Sequence, residues 1–235
     1  FNLAFDFGIK GGLVFQDLKF RIGQSNFFLG GKLMALAANV KVDVSSEAPL
    51  LDLIDRDVTD VGLALQGTFD TRDNTMTPDH GQYVEASVWR YDDSFGGDYD
   101  YWKGKLKFTS FHHLHDRFVL GWRVEGEMVD GRPPLWAYPW ISIRGIPAMR
   151  YQNERTGVVE VEGRYNFADR WAVVGFIGRG RARGDNPAFD VDEKILAGGV
   201  GGRWLFKEDE NIWVGIDIAR GPEDTYWYIQ VGLAW

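Results

Sequence analysis

Hydrophobic and polar residues alternate with period two along most of this chain. The closing stretch shows it best: Trp227, Ile229, Val231, Leu233 and Trp235 fall on one side, and Tyr226, Tyr228, Gln230, Gly232 and Ala234 on the other. Such alternation defines a strand with one apolar face and one polar or small face. An apolar face of that size needs a partner. If the partner is lipid, the strand closes a membrane barrel and Trp235 sits at the membrane–water interface. If it is another protein layer, the strand belongs to a soluble sandwich, and the alternation alone fits both.

The pattern recurs from end to end. Phe1, Leu3, Phe5, Phe7 and Ile9 oppose Asn2, Ala4, Asp6 and Gly8; Leu18, Phe20 and Ile22 oppose Asp17, Lys19, Arg21 and Gly23. Met34 through Val44 follow, and further strands are predicted at 61–69, 81–91, 99–110, 118–128, 157–167, 171–181, 195–206 and 212–218. With 225–235 the sequence predicts twelve strands. The gaps at 24–26, 113–116, 166–170 and 207–211 are short and that at 71–80 somewhat longer, whereas 45–59, 130–156 and 182–193 are long. Alternating short turns and long loops are the habit of an outer-membrane barrel. The expectation is one all-β domain over 1–235, a transmembrane antiparallel β-barrel in the bacterial outer membrane.

The polar side separates lipid from water as the partner. Lys103, Lys105 and Lys107 project from one side of their strand, and Arg123, Glu125 and Glu127 from one side of the next, opposite Phe118, Leu120, Trp122 and Val124. A small dry interior could not hold so many charges without large desolvation costs, but a wide wet lumen can.

Composition changes the picture little. The 235 residues suffice for one large all-β domain, and no apolar run approaches the length of a membrane-spanning helix. Ten Trp and 15% aromatics suit interfacial girdles, and the mean hydropathy of −0.26 is no objection to a barrel with polar lumen and loops. The absence of cysteine excludes disulfides and thiol chemistry, and the net charge of −8 argues against nucleic acid. His112, His113 and His115 invite a metal reading, but adjacent strand residues point to opposite faces, and no metal or cofactor is expected. The glycine runs at 178–184 and 198–202 lack dinucleotide spacing and read as thin strands approached closely by other backbone. No nucleophile elbow or other enzyme constellation occurs, so the chain is not expected to be an enzyme.

Three stretches in order carry a family resemblance. Phe69-Asp70-Thr71-Arg72-Asp73-Asn74, with Pro78 and Gly81, looks like a turn between barrel strands. Ile143-Arg144-Gly145-Ile146 lies in the long loop at 130–156, and the chain ends Val231-Gly232-Leu233-Ala234-Trp235. From about Gly62 onward the sequence resembles the BamA/TamA superfamily, the bacterial surface antigen barrels. Family barrels generally have sixteen strands against the twelve counted here, so the expectation is either that N-terminal strands lie outside these 235 residues or that the barrel is a short form; the family's periplasmic repeat domains are not among these residues.

The resemblance implies that the Arg144–Gly145 loop folds into the lumen and docks on the strands after it. Glu160 and Glu162 are the candidate anchors, with an Arg144–Glu162 pair expected. On the following strand Gly178 stands where the family often has a carboxylate, leaving packing against Phe176. Gly232 and Trp235 match the family's C-terminal signal. The implied activity is insertion or export of polypeptides through a lateral seam between first and last strands. Outer-membrane lipids or lipopolysaccharide would surround the protein, with client polypeptides, a periplasmic partner or a second copy as further partners. The alternatives are a membrane anchor for a separate effector and a passive channel.

Overall fold

The computed structural model describes residues 4–45, 54–232 and 235. It is a single antiparallel sheet in which each strand pairs with its sequence neighbours. The strands are β1 (Ala4–Arg21), β2 (Phe27–Ser45), β3 (Ile54–Asp70), β4 (Gly81–Tyr91), β5 (Asp100–His115) and β6 (Phe118–Arg132). They continue as β7 (Arg155–Ala168), β8 (Trp171–Arg183), β9 (Asp192–Lys207), β10 (Ile212–Arg220) and β11 (Thr225–Val231).

Eleven strands stand where the alternation predicts twelve. The expected first two are one continuous strand, β1, paired with β2 from Ala4↔Ser45 to Arg21↔Phe28. The apolar phase changes between Phe15 and Leu18, which imitates a break. In fact the strand runs on while its apolar residues change sides. Phe15 approaches the Trp89 ring, and Asp17 bonds Gln66 on the same side. Val14, Leu18 and Phe20 are exposed on the other.

The two faces differ in kind. The outward face carries Phe20, Leu29, Leu65, Val88, Leu106, Val124, Val159, Ile177, Val200, Ile216 and Ile229, all exposed. At the short-turn end this band is edged by aromatics, among them Phe118, Phe167, Trp171, Phe206, the Phe27–Phe69 pair and the Phe108–Trp122 pair. At the long-loop end the outward positions turn polar or charged: Lys10, Asn39, Asp57, Arg90, Asp130, Arg155, Arg179, Lys194 and Arg220. There the inward side becomes apolar in exchange, with Ala38 and Val58 buried against Tyr99 and Trp136.

Inward contacts join strands that are not neighbours, so the sheet curls. Lys32 on β2 reaches Glu85 on β4 at 2.8 Å, and Arg164 on β7 bonds Asp79 in the turn after β3. In that same turn the Asn74 amide donates to the Glu210 carbonyl at 2.8 Å, and the Asn211 amide donates to the Thr77 carbonyl at 3.0 Å. A turn between β3 and β4 thus touches the turn between β9 and β10. Among the described residues β1 and β11 do not pair with each other, and the sheet keeps two edges.

Candidate functional site: the Arg144 loop

The segment 133–154, between β6 and β7, crosses the concave face. Ile141 and Asn153 tie its two limbs together through backbone bonds to Tyr151 and Pro139. Its apolar side chains Ile141, Ile143 and Ile146 pack on Val158, Ala182, Ile195 and Ala197, inward residues of β7, β8 and β9. The packing stabilises the loop: its isoleucines replace water over the inward apolar positions of three strands.

At its tip Ile146 N–H donates to the Ile143 carbonyl, closing a β-turn with Arg144 and Gly145 at its centre. Gly145 has φ +97°, a conformation costly for any residue with a Cβ. A Cβ there would also press on Arg220, Gly221 and Ala197 at 3.1–3.2 Å. The Gly145 N–H donates to the Tyr228 hydroxyl of β11 at 2.9 Å.

The turn aims Arg144 at the sheet, where it is buried. Its Nε and Nη2 donate to Glu160 Oε1 at 3.1 and 2.9 Å, and Nη1 donates to Asp217 Oδ2 at 2.9 Å. Glu162 Oε2 lies 2.6 Å from Nη2, close enough for an ion pair but without hydrogen-bond alignment. The guanidinium carbon sits 3.4 Å from the Phe176 ring centroid, a cation–π stack. Burial by itself would disfavour the cation. The charges of Glu162 and Glu160 more than offset it and hold the Arg144 pKa above the ordinary arginine range.

Three carboxylates around one guanidinium need further cations. Arg123 on β6 donates to Glu160 Oε2 at 3.0 and 2.9 Å and to the Ser142 carbonyl; Arg203 on β9 bonds Asp217, at 3.0 Å from Nη2. Beyond Arg123 the pairing continues through Glu125 at 3.4 Å, Lys105 at 3.0 Å, Glu127 at 2.6 Å and Lys103 at 3.3 Å. Five cations and five carboxylates form one charge-balanced chain from β5 to β10. Strand register makes this arrangement, since Lys105↔Glu127 and Arg123↔Glu160 are directly opposed.

Every residue singled out around the loop has a definite place. Glu160, Glu162 and Phe176 surround Arg144. Gly178 sits tightly: a Cβ there would meet Glu160 Cγ and Ile143 Cγ2 at 3.3 Å, so any side chain would have to push these two aside. The third carboxylate is Asp217, two strands further on, which the sequence did not single out, nor Arg203 and Tyr228; Arg123 was expected on the lumenal face but not beside the loop. The available signal was that Asp217 is the lone inward charge among Trp213, Gly215 and Ala219 on β10.

Trp235 departs from expectation. Strand β11 ends at Val231, and Gly232, at φ +74°, turns the chain. Leu233 and Ala234 lie outside the described residues. The Trp235 ring stacks on Phe111 of β5 at 5.6 Å and faces Arg123 at 5.9 Å, so it lies on the concave side and not on the apolar face of its strand. His112 faces outward beside Ser110 and the Trp122 indole, at 3.0 and 3.4 Å.

At the outer end of the loop, Arg150 and the Tyr151 hydroxyl bond Glu223 in the β10–β11 turn, at 2.8 Å each. Arg150 first and Tyr151 second hold the Glu223 carboxyl below the usual glutamate range.

No protein-family model matches the sequence, and no curated protein matches it. Among solved structures it is similar to Pseudomonas aeruginosa OccK10 (OpdN), at 10% identity and TM-score 0.38 over 97% of this chain and 95% of that one.

Proposed function

We propose that this chain forms the wall of an outer-membrane β-barrel whose interior is occluded by the Arg144 loop, and that it handles polypeptides at the seam between β1 and β11. The observation that carries the membrane reading is the outward face. Large apolar side chains cover it from β1 to β11, bounded by aromatics at one rim and charges at the other. Along β7 the band runs from Tyr165 to Gly157. At about 3.3 Å per residue and a tilt of about 40°, that is roughly 20 Å, close to the band of known outer-membrane barrels. The concave face carries the charges, as a lumen does.

The polypeptide-handling part rests on the resemblance to the BamA/TamA superfamily. What supports it in the structure is the Arg144-Gly145 turn held by Glu160 and Glu162 and followed by five strands, the features that the resemblance implies. The edges support a seam: β1 is 18 residues long and β11 only seven, so a direct β1–β11 pairing would be short. Unpaired backbone is costly in lipid, so such edges must meet each other or another strand.

Two experiments separate the parts. Refolded protein mixed with phosphatidylcholine vesicles should float with them and resist carbonate extraction; protein that stays soluble sinks the membrane reading. Outer-membrane proteomics after depletion, with wild-type or Arg144→Ala rescue, tests the activity. Loss of client proteins restored only by wild type supports it, whereas an unchanged proteome makes the barrel an anchor or a channel.

A further inference from the structure

The outward rim at the long-loop end is polar or charged throughout, and its charge is uneven. Arg155 on β7, Arg179, Arg181 and Arg183 on β8, and Lys194 on β9 are all exposed and all on the outward side. Register clusters them: Arg155 opposes Arg183, Arg181 opposes both Gly157 and Lys194, and Arg179 opposes both Val159 and Leu196. Directly opposed side chains on one face lie about 5 Å apart, so five cations share a patch three strands wide. One outward carboxylate, Asp192, sits among them, bonded to Arg181 at 2.6 Å and 3.2 Å from Lys194. Asp130 borders the patch on β6. Among the described residues Arg155, Arg179 and Arg183 have no ion-pair partner, in a chain whose net charge is −8.

Immediately below lies an apolar groove of about 640 Å³, floored by Gly157 and walled by Val124, Val159, Val161, Ile177 and Leu196, with Arg179, Arg181 and Lys194 at its mouth. Gly157 opens it, since a Cβ there would meet nothing within 4 Å. Cations over an apolar trough are the complement of an amphiphile with an anionic head and a hydrocarbon tail. Arginine favours phosphate, which it can bind through two parallel N–H···O bonds. The patch spans about 10 Å across three strands, wider than one phosphodiester needs.

Building on the membrane reading above, we propose that this rim binds a lipid bearing two or more phosphate groups. Arg155, Arg179 and Arg183 hold the phosphates, Arg181 and Lys194 share theirs with Asp192, and an acyl chain lies over Gly157 between Val159 and Ile177. Such a lipid would be ordered at one fixed position around the wall. It would cover the strands that anchor the Arg144 loop from their other side, since Glu160 and Phe176 lie on the same two strands as Val159 and Ile177.

The test uses the full chain inserted in phosphatidylcholine nanodiscs, with bis-phosphorylated lipid A or phosphatidylglycerol as added probe, and native mass spectrometry as readout. Wild type is expected to retain lipid A at least tenfold more tightly than the Arg155→Gln/Arg179→Gln/Arg183→Gln variant. The rim control Lys10→Gln should match wild type. Equal retention by the triple variant overturns the proposal, as does phosphatidylglycerol retained as well as lipid A, which would mean charge attraction only. Failure of wild type to insert in the nanodisc overturns the membrane reading and this site with it. Insertion without selective retention overturns the site alone.

Discussion

Arg144 is surrounded by more negative charge than it carries, and this decides what its removal would do. A buried ion pair adds little net stability, but removing one partner leaves uncompensated charge that costs about 3–5 kcal/mol. Here Glu160, Glu162 and Asp217 would lose their shared cation while Arg123 and Arg203 kept only part of the balance. Arg144→Ala is therefore expected to lower the unfolding free energy by that order, seen as a lower denaturant midpoint, and to expose the loop to protease. Arg144→Lys should recover less than half, because an ammonium cannot reproduce the planar stack on Phe176 or the forked bonds. Gly145→Ala attacks the same turn through the backbone. It should cost about 1–3 kcal/mol from its positive φ alone, with loop proteolysis as the readout. The loop's outer tie titrates. The Glu223 pKa is depressed in the fold by Arg150 and Tyr151, so its contribution is complete above the ordinary glutamate range and lost as pH falls through the folded value. Cleavage within 133–154 should rise as pH falls below the ordinary glutamate range, and Glu223→Gln should flatten that pH response. The Arg144 loop was legible only through the resemblance carried by Ile143-Arg144-Gly145-Ile146. Asp217 was not, because alternation puts it on the polar face of its strand but does not say what crosses over it.

At the scale of elements, alternation located β4 to β10 well because each of them keeps its apolar positions on one side through the band, whereas β3 begins at Ile54, inside the stretch 45–59 expected as a loop. It failed at β1 for a physical reason. A strand that leaves an apolar environment exchanges its faces, and the resulting phase change imitates a turn. The pairing makes this testable. Val14 and Ala35 are directly opposed and outward on β1 and β2. Cross-strand Cα distances of about 4.5–5.5 Å suit a disulfide. Val14→Cys with Ala35→Cys should cross-link on mild oxidation, and Val14→Cys with Ala37→Cys, out of register, should do so poorly. If 10–17 were a turn between two strands, neither pair would be favoured. Strand β11 shows the opposite failure. Its alternation continues past the point where Gly232 turns the chain, so periodicity carried Trp235 to the wrong side.

For the whole molecule, the question is which solvent the outward face meets, and substitution at one exposed position answers it. Val200 on β9 is 64% exposed and Leu65 on β3 is 79% exposed, both within the apolar band. In water, replacing an exposed Val or Leu by Arg changes stability by less than about 0.5 kcal/mol. At the middle of a bilayer the same change costs about 2–4 kcal/mol, falling towards zero near the interfaces. Val200→Arg and Leu65→Arg should each lose that much in vesicles of fixed lipid composition, and far less in urea-soluble detergent micelles where the charge can reach water. Arg179→Val supplies the reverse case, because a rim position that already carries charge should respond weakly. A profile in which the penalty peaks at Val200 and Leu65 and vanishes at Arg179 would place the bilayer on the sequence itself. A flat profile would mean that this face is covered by protein or faces water. The concave charge network would then belong to a soluble sheet, whose two free edges would need a partner chain instead of lipid.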